Sequence, residues 1–320
     1  MAATTTTQIP AGVQAFYDRN LLERATPELV HDKYGQMRNI PKGGSDSIKF
    51  RRYNGLTAAT TPLTEGVTPS GSQLSITDVT ATVAQYGDFV TITDTVNLTV
   101  EDNVITEATD VLGEQAGDTV DQVYRDVLNA GTNVFYAGSI DTTTIDTRVE
   151  VASAPLAKDL DACITALKGQ KAKKFTSMIQ GSNKINTYPI RPAFMAITHT
   201  DKVEELEALT GWKSVEEYAS QSEVDLCEAG AYKSIRFVET TNAKVFTGAG
   251  AAGVDVYSTL ILGKNAYGVV GIKGNRNIQT IVKPLGSGDD PLNQRATVGW
   301  KVWATAKILN DAFMIRYESA

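Results

Sequence analysis

The sequence has few of the residues that build disulfide or metal frameworks: two cysteines, Cys163 and Cys227, and two histidines, His31 and His199. Two distant thiols give no disulfide framework and are typical of a reducing compartment, and no zinc motif is evident. No stretch approaches the ~18 apolar residues of a membrane-spanning helix. Residues 1–10 lack the basic and apolar segments of a signal peptide. We therefore expect a protein that folds in the cytoplasm and has no membrane partner.

Basic residues are also in short supply, because 30 lysines and arginines stand against 37 aspartates and glutamates, a net charge of −7. A dedicated nucleic-acid-binding protein usually has a basic balance, so this class is disfavoured. Hydrophobic residues make up 42% of the 320 residues. This share is enough for one large domain, or two moderate ones, with a packed core.

Parts of known enzyme motifs occur in the sequence, but the neighbouring residues that each motif needs for its function are missing. Gly248, Gly250 and Gly253 match a dinucleotide fingerprint, but a strand pattern follows and no acid occurs between residues 256 and 288. Gly263 and Lys264 resemble the end of a phosphate-binding loop, but the next residue is neither serine nor threonine. The sequence therefore predicts no catalytic residue, no cofactor and no metal site.

The first part of the chain has the pattern of an arm followed by an extended hairpin. Residues 1–11 are small and polar, and 12–38 have a broken helical stripe. Residues Ile48–Tyr53 alternate as a strand, and 74–86 form a second strand candidate. The long polar loop Thr57–Gln73 joins them. A hairpin of this kind builds no core of its own, so we expect it to pack on another surface.

Residues 101–130 give the strongest helix signal. Their apolar residues recur at spacings of three and four: Val104, Ala108, Val111, Leu112, Ala116, Val120, Val123 and Val127. Downstream we predict a helix at 157–168, a helix over Asp201–Leu209, and strands at Phe194–Ile197, Ile235–Val238 and Val254–Leu262. Two final strands lie within Thr297–Tyr317, where Trp300 shares an alternating face with Val298 and Val302.

Charge is segregated along the chain. Residues 1–60 have eight Lys/Arg against five Asp/Glu, a net of +3, whereas 61–130 have one against twelve, a net of −11. We interpret Lys49, Arg51 and Arg52 as candidates to contact the acidic helix region of a neighbour, with both charge sets facing solvent as the alternative. A second basic cluster, Lys168, Lys171, Lys173 and Lys174, is either a solvated helix end or a contact to DNA or to a neighbouring subunit.

The C-terminal region carries a family resemblance. Asp290–Arg295, Ala296–Lys301 and Ala306–Ala312 resemble the ending of tailed-bacteriophage major capsid proteins typified by a Schito-type podovirus. Shorter similar segments are Arg236–Glu239, Thr280–Pro284 and Gly35–Tyr53. The similarity extends over essentially the whole chain.

This resemblance implies an α+β protein with the Hong Kong phage capsid fold, also called the Johnson fold. The implied parts are an N-terminal arm (1–45), an extended β-hairpin loop (46–86), a peripheral domain (87–185) with a spine helix (101–130), an axial domain (186–275), and a C-terminal return to the peripheral domain (276–320). Pro62, Gly66, Pro69 and Gly71 fall at the hairpin tip, where we expect intersubunit contact.

The implied function is a structural shell subunit, not an enzyme. The implied partners are further copies arranged as hexamers and pentamers, a separate scaffolding protein, a portal protein and double-stranded DNA held by non-specific contact. The sequence leaves the presence of a decoration protein open. The protein would reside in the virion after assembly in the bacterial host cytoplasm. An encapsulin-like nanocompartment shares the fold and stays open as an alternative, as does a β-rich surface or adhesive protein.

Overall fold

The computed structural model describes residues 29–41, 43–63, 65–99, 104–141, 145–177, 189–218, 224–225, 227–272, 278–286 and 292–320. The helices in these ranges are α1 (Asp94–Thr99), α2 (Val104–Leu128), α3 (Ala157–Gly169) and α4 (Val203–Glu207). The strands are β1 (Gln36–Ile40), β2 (Ser47–Tyr53), β3 (Ile76–Thr82), β4 (Ala84–Thr93), β5 (Val134–Tyr136), β6 (Phe175–Ser177), β7 (Pro189–His199), β8 (Trp212–Ser214), β9 (Glu228–Tyr232), β10 (Ile235–Thr240), β11 (Val245–Phe246), β12 (Val256–Leu262), β13 (Tyr267–Ile272), β14 (Gln279–Lys283), β15 (Arg295–Ile308) and β16 (Met314–Ser319).

The larger sheet has nine strands, ordered β5-β16-β12-β7-β10-β9-β8, with β11 and β6 attached to β12 and β7. Its central strands are buried on both faces. In β7, Met195 and Ile197 join one hydrophobic cluster, and Phe194 and Ala196 join the cluster that packs on α3. This double burial explains why these strands are nearly continuous apolar runs without polar alternation.

The smaller sheet is built on β15, which pairs with β13, β14 and β4, while β1 adds to β13. The long helix α2 packs on β15, with Leu112, Ala116 and Val120 in one cluster with Trp300. This confirms α2 within the predicted 101–130 helix and the predicted burial of Trp300. The positions of residues 100–103 lie outside the described part of the chain.

The hairpin consists of β2 and β3, paired antiparallel from Ser47↔Thr82 to Tyr53↔Ile76. Its base packs on the smaller sheet of its own subunit, in agreement with the expectation that the hairpin packs on another surface. Ala81 and Val83 are buried against Val270, with Phe50 packed at the edge of this cluster. Phe50 can lie on β13 because its ring occupies the space of a side chain at Gly268, where a Cβ would come within 2.7 Å of it. The base of the hairpin is therefore anchored to its own subunit.

The predicted strand at 74–86 is in fact two strands. β3 ends at Thr82, and β4 begins at Ala84 in a different sheet. Val83 between them is buried, and its backbone N–H donates to the carbonyl of Asp46 across the hairpin base. Strand periodicity cannot detect this break, because the alternation continues through it.

The predicted helix at 12–38 is wrong where the structure describes it, and residues 12–28 lie outside the described part. Residues 31–34 form a turn, and β1 pairs in parallel with β13. The turn is held by Asp121 of α2, which accepts hydrogen bonds from the backbone N–H of Val30 at 2.9 Å and of His31 at 2.8 Å. The same carboxylate contacts His31 Nδ1 at 2.8 Å. These long-range bonds override the local helical pattern.

We predict that Trp300→Ala lowers the free energy of unfolding by ~3–5 kcal/mol, because it leaves a cavity between β15 and α2. Trp300 is only 4% exposed, and its Nε1 donates to Gln115 Oε1 at 3.1 Å. Denaturant unfolding followed by circular dichroism measures the effect.

The matched control is Phe89→Ala on the neighbouring strand β4, where the ring is 67% exposed. In the isolated subunit this change should stay within ~0.5 kcal/mol of wild type. Equal stability of the two variants would show that the face of β15 assigned to the core is incorrect.

Candidate assembly surfaces

The hairpin beyond its base is exposed to solvent. Residues 55–63 and 65–76 are all exposed, including Pro62, Gly66, Pro69 and Gly71. Gly66 has a φ of +77°, a left-handed conformation that favours glycine at this turn. Four apolar side chains lie on this segment with half or more of their surface in solvent: Leu56, Leu63, Val67 and Leu74. A cluster of exposed apolar residues on a projecting loop is typical of a surface that binds a partner.

Two basic sets that are far apart in sequence meet at one groove of about 690 Å³, which we call the basic groove. The strand β2 contributes Lys49, Arg51 and Arg52 to its wall, and Lys173 lines it from the segment before β6. Arg38 of β1 and Lys264 of the turn before β13 also line it. The structure therefore brings together the three predicted contact residues of the hairpin and one residue of the predicted lysine cluster.

The rest of the lysine cluster lies elsewhere. Lys168 and Lys171 are exposed at the end of α3 and are not among the described residues that line the groove. Lys174 places its ammonium 5.5 Å from the centre of the Phe194 ring, a cation–π contact within the subunit. Sequence reasoning missed Arg38 and Lys264 because only the pairing of β1 with β13 brings them near the hairpin.

Within the basic groove only Arg51 has a described ion pair. Its Nε lies 3.1 Å from Asp78 Oδ1 on β3, and both side chains are largely exposed. Such an exposed pair contributes little to stability, so it orients Arg51 more than it stabilises the hairpin. Among the described residues that line the groove, all the charged side chains are cationic. The groove is thus a concentrated positive surface on an acidic chain.

A second groove, of about 700 Å³, lies along α2, and we call it the acidic groove. Glu114 and Asp118 line it from α2, and Glu239 lines it from β10. Val111 adds an apolar side chain that is 61% exposed. No lysine or arginine is among the described residues that line this groove. Its charge is opposite to that of the basic groove.

The titratable residues that could suggest catalysis have structural partners. His199 lies beside Asp201, with Nδ1 3.3 Å from Oδ2, and Tyr257 donates to the same carboxylate. Burial raises the pKa of the Cys163 thiol well above its usual range, which keeps it protonated. Among the described residues no group of His, Cys, Asp and Glu has the geometry of a metal site, and no described helix is long and apolar enough to cross a bilayer.

Comparisons with known proteins agree with one another. A sequence profile of the family described as phage capsid protein matches residues 76–317. No curated protein gives a significant sequence match.

Solved structures show a similar fold at low identity. The capsid of Ralstonia phage GP4 has a TM-score of 0.66 and 15% identity, covering 89% of this chain and 87% of that chain. The capsid asymmetric unit of cyanophage Pam1 has a TM-score of 0.65 and 16% identity, covering 93% and 92%. The head of Helicobacter pylori bacteriophage KHP40 has a TM-score of 0.62 and 12% identity, covering 91% and 88%.

These structural matches confirm the Hong Kong phage capsid fold that the sequence resemblance implied, and the profile match spans about three quarters of the chain. The chain therefore belongs to the phage capsid protein family, as a structural, shell-forming subunit of the virion.

Proposed function

We propose that copies of this subunit form hexamers and pentamers that close into an icosahedral shell around a double-stranded DNA genome. The observation that carries this proposal is the exposed hairpin, anchored at its base by Phe50 and Val83 but uncovered over residues 55–63 and 65–76. Leu63 and Val67 at its tip leave apolar surface in solvent that a neighbouring subunit would cover. The hairpin is then an intersubunit arm.

The further partners follow from this role. The shell would assemble in the host cytoplasm on a separate scaffolding protein, with a portal protein at one vertex. Contact with DNA would be non-specific and weak, because a net charge of −7 disfavours a strongly retained genome. The role is structural, without catalysis.

We also propose that the chain divides into an arm, a hairpin loop, a peripheral domain, an axial domain and a C-terminal return. The chain crosses between the two sheets. This favours one rigid body and disfavours domains that move separately. β13 and β15 belong to the smaller sheet, whereas β12 and β16 belong to the larger one. The chain therefore passes from the larger sheet to the smaller one between β12 and β13, and returns to the larger one between β15 and β16.

The shell itself is tested by expressing the full chain with its scaffolding protein and imaging the purified particles by electron microscopy. We expect closed icosahedral particles built from rings of five and six subunits. Particles that package only protein cargo would favour an encapsulin-like compartment. A strictly monomeric protein under all such conditions contradicts the proposal.

We predict that deleting 62–70 leaves the subunit folded but impairs shell formation, because 62–63 and 65–70 lie at the exposed tip and outside the three hydrophobic clusters. Circular dichroism reports folding, and microscopy reports shells. The double variant Leu63→Ser and Val67→Ser keeps the loop length and tests the apolar contact alone. Normal shells from the deletion variant would show that the hairpin tip is not an intersubunit arm.

A further inference from the structure

We propose that the basic groove binds an extended acidic segment of a protein other than the capsid subunit, and that this segment adds as a strand to the free edge of β2. The proposal goes beyond the shell function and does not depend on it, because the groove and the edge are both present in the single subunit. The partner would be recognised by its backbone along β2 and by its carboxylates at the cations of the groove.

The basic groove runs along one edge of β2. Six consecutive residues of this strand, Ile48–Tyr53, line it. Successive side chains of a strand point to opposite faces, so a groove that touches all six residues lies beside the edge of the strand and not over one face. In the described part of the chain β2 pairs only with β3, in a two-stranded sheet. The edge beside the groove therefore has no strand partner within those residues.

The register of the hairpin shows which backbone groups lie at this edge. Just beyond β2, the N–H of Asn54 donates to the carbonyl of Ser75 at 3.0 Å. Hydrogen-bonded pairs alternate with non-bonded pairs in an antiparallel ladder, so the even-numbered residues of β2 bond to β3. The N–H and C=O groups of Lys49, Arg51 and Tyr53 consequently point away from β3, toward the groove. Such a row of backbone donors and acceptors is a template for a further strand.

The cations beside this edge select the strand that can pair with it. Lys49 and Arg51 are exposed on β2, and Arg38, Lys173 and Lys264 are exposed on the other segments that line the groove. No carboxylate is among the described residues that line it. A second copy of the same edge would bring like charges together, which disfavours pairing between two such edges. An acidic strand would instead be attracted by each cation.

Apolar side chains in the groove favour a polypeptide over the phosphate backbone of DNA. Phe50, Leu309 and Phe313 line the groove and are only partly buried. The side chains of an added strand alternate between two faces, so apolar residues would contact these three while acidic residues lie beside Lys49 and Arg51. A phosphate backbone would contact the cations and leave the apolar surface in solvent. The partner is therefore a segment in which acidic and apolar residues alternate.

The probe for this site is a short fluorescent peptide of alternating glutamate and valine. Fluorescence anisotropy measures its binding to free subunits of the full chain at ~0.15 M salt. Two modified peptides are compared with it, one N-methylated at every glutamate and one at every valine. Only one of these sets of N–H groups can point toward β2 in an added strand, so we expect one modified peptide to bind about tenfold more weakly or worse and the other to bind as the parent does.

The matching protein variant carries Lys49→Glu and Lys264→Glu, which reverse charge on two segments of the groove. The control carries Lys168→Glu and Lys213→Glu, the same charge change outside it. All four side chains are exposed, so both variants should fold normally, which thermal unfolding checks. We expect the groove variant to bind the parent peptide about tenfold more weakly or worse, and the control to match wild type. In the wild type, amide exchange at residues 49, 51 and 53 should slow when the peptide is added.

Four results would overturn the inference. The first is no binding of the parent peptide to the folded wild type, and the second is equal binding of both N-methylated peptides, which would reduce the contact to charge alone. The third is binding of a fluorescent DNA duplex that is lost in the groove variant while the peptide does not bind, which would assign the groove to nucleic acid. The fourth is self-association of free subunits that only the groove variant loses, which would assign it to a second copy. Each of these is read on free subunits, so none decides whether the chain forms shells.

Discussion

The packing of α2 against β15 is the contact on which the rest of the structure depends. Trp300 lies at the centre of this contact and packs against the helix. Its indole N–H donates to Gln115, and the side-chain amide of Gln115 donates to Asp88 of β4 at 2.8 Å. β15 pairs with strands on both of its edges. Helix and strand together therefore fix the smaller sheet, and the smaller sheet fixes where the hairpin leaves the subunit.

The helix α2 and the smaller sheet also hold the turn that precedes β1, and they leave the hairpin beyond its base exposed. Asp121 on α2 binds the turn at Val30 and His31, and Tyr267 donates to the His31 carbonyl at 2.6 Å. β1 is thereby held beside β13, next to the base of the hairpin. The hairpin has a rigidly attached base and an exposed loop. This geometry is suited to packing on another molecule, as the proposed shell subunit requires.

Sequence patterns predicted the elements whose burial is one-sided or continuous. α2 and β15 were recognised because each has a strong local period, and β7 and β12 because each contains a short, nearly continuous apolar run. β1 and β13 were missed, because glycines at 268 and 271 interrupt the short apolar run of β13, and β1 gains its place only by pairing across the chain. Short strands such as β8 and β11 have too few residues to show a period.

The charge of the candidate surfaces could be predicted from the sequence, but the set of residues that each groove brings together could not. The excess of acid in 61–130 and the basic residues of β2 were visible in the sequence. Their grouping was not, because Lys173 and Lys264 join the groove only through the tertiary fold. Adjacent lysines in the sequence were separated instead, since Lys174 turns toward Phe194.

We propose that the subunit is a preformed body whose hairpin is covered only in the shell. Amide hydrogen exchange, measured on free subunits and on assembled shells of the full chain, tests it most directly. We expect the amides of α2 and β15 to be protected in both states, while those of residues 55–63 and 65–75 exchange rapidly in free subunits and become protected in shells. Equal, rapid exchange of the hairpin in both states would contradict it.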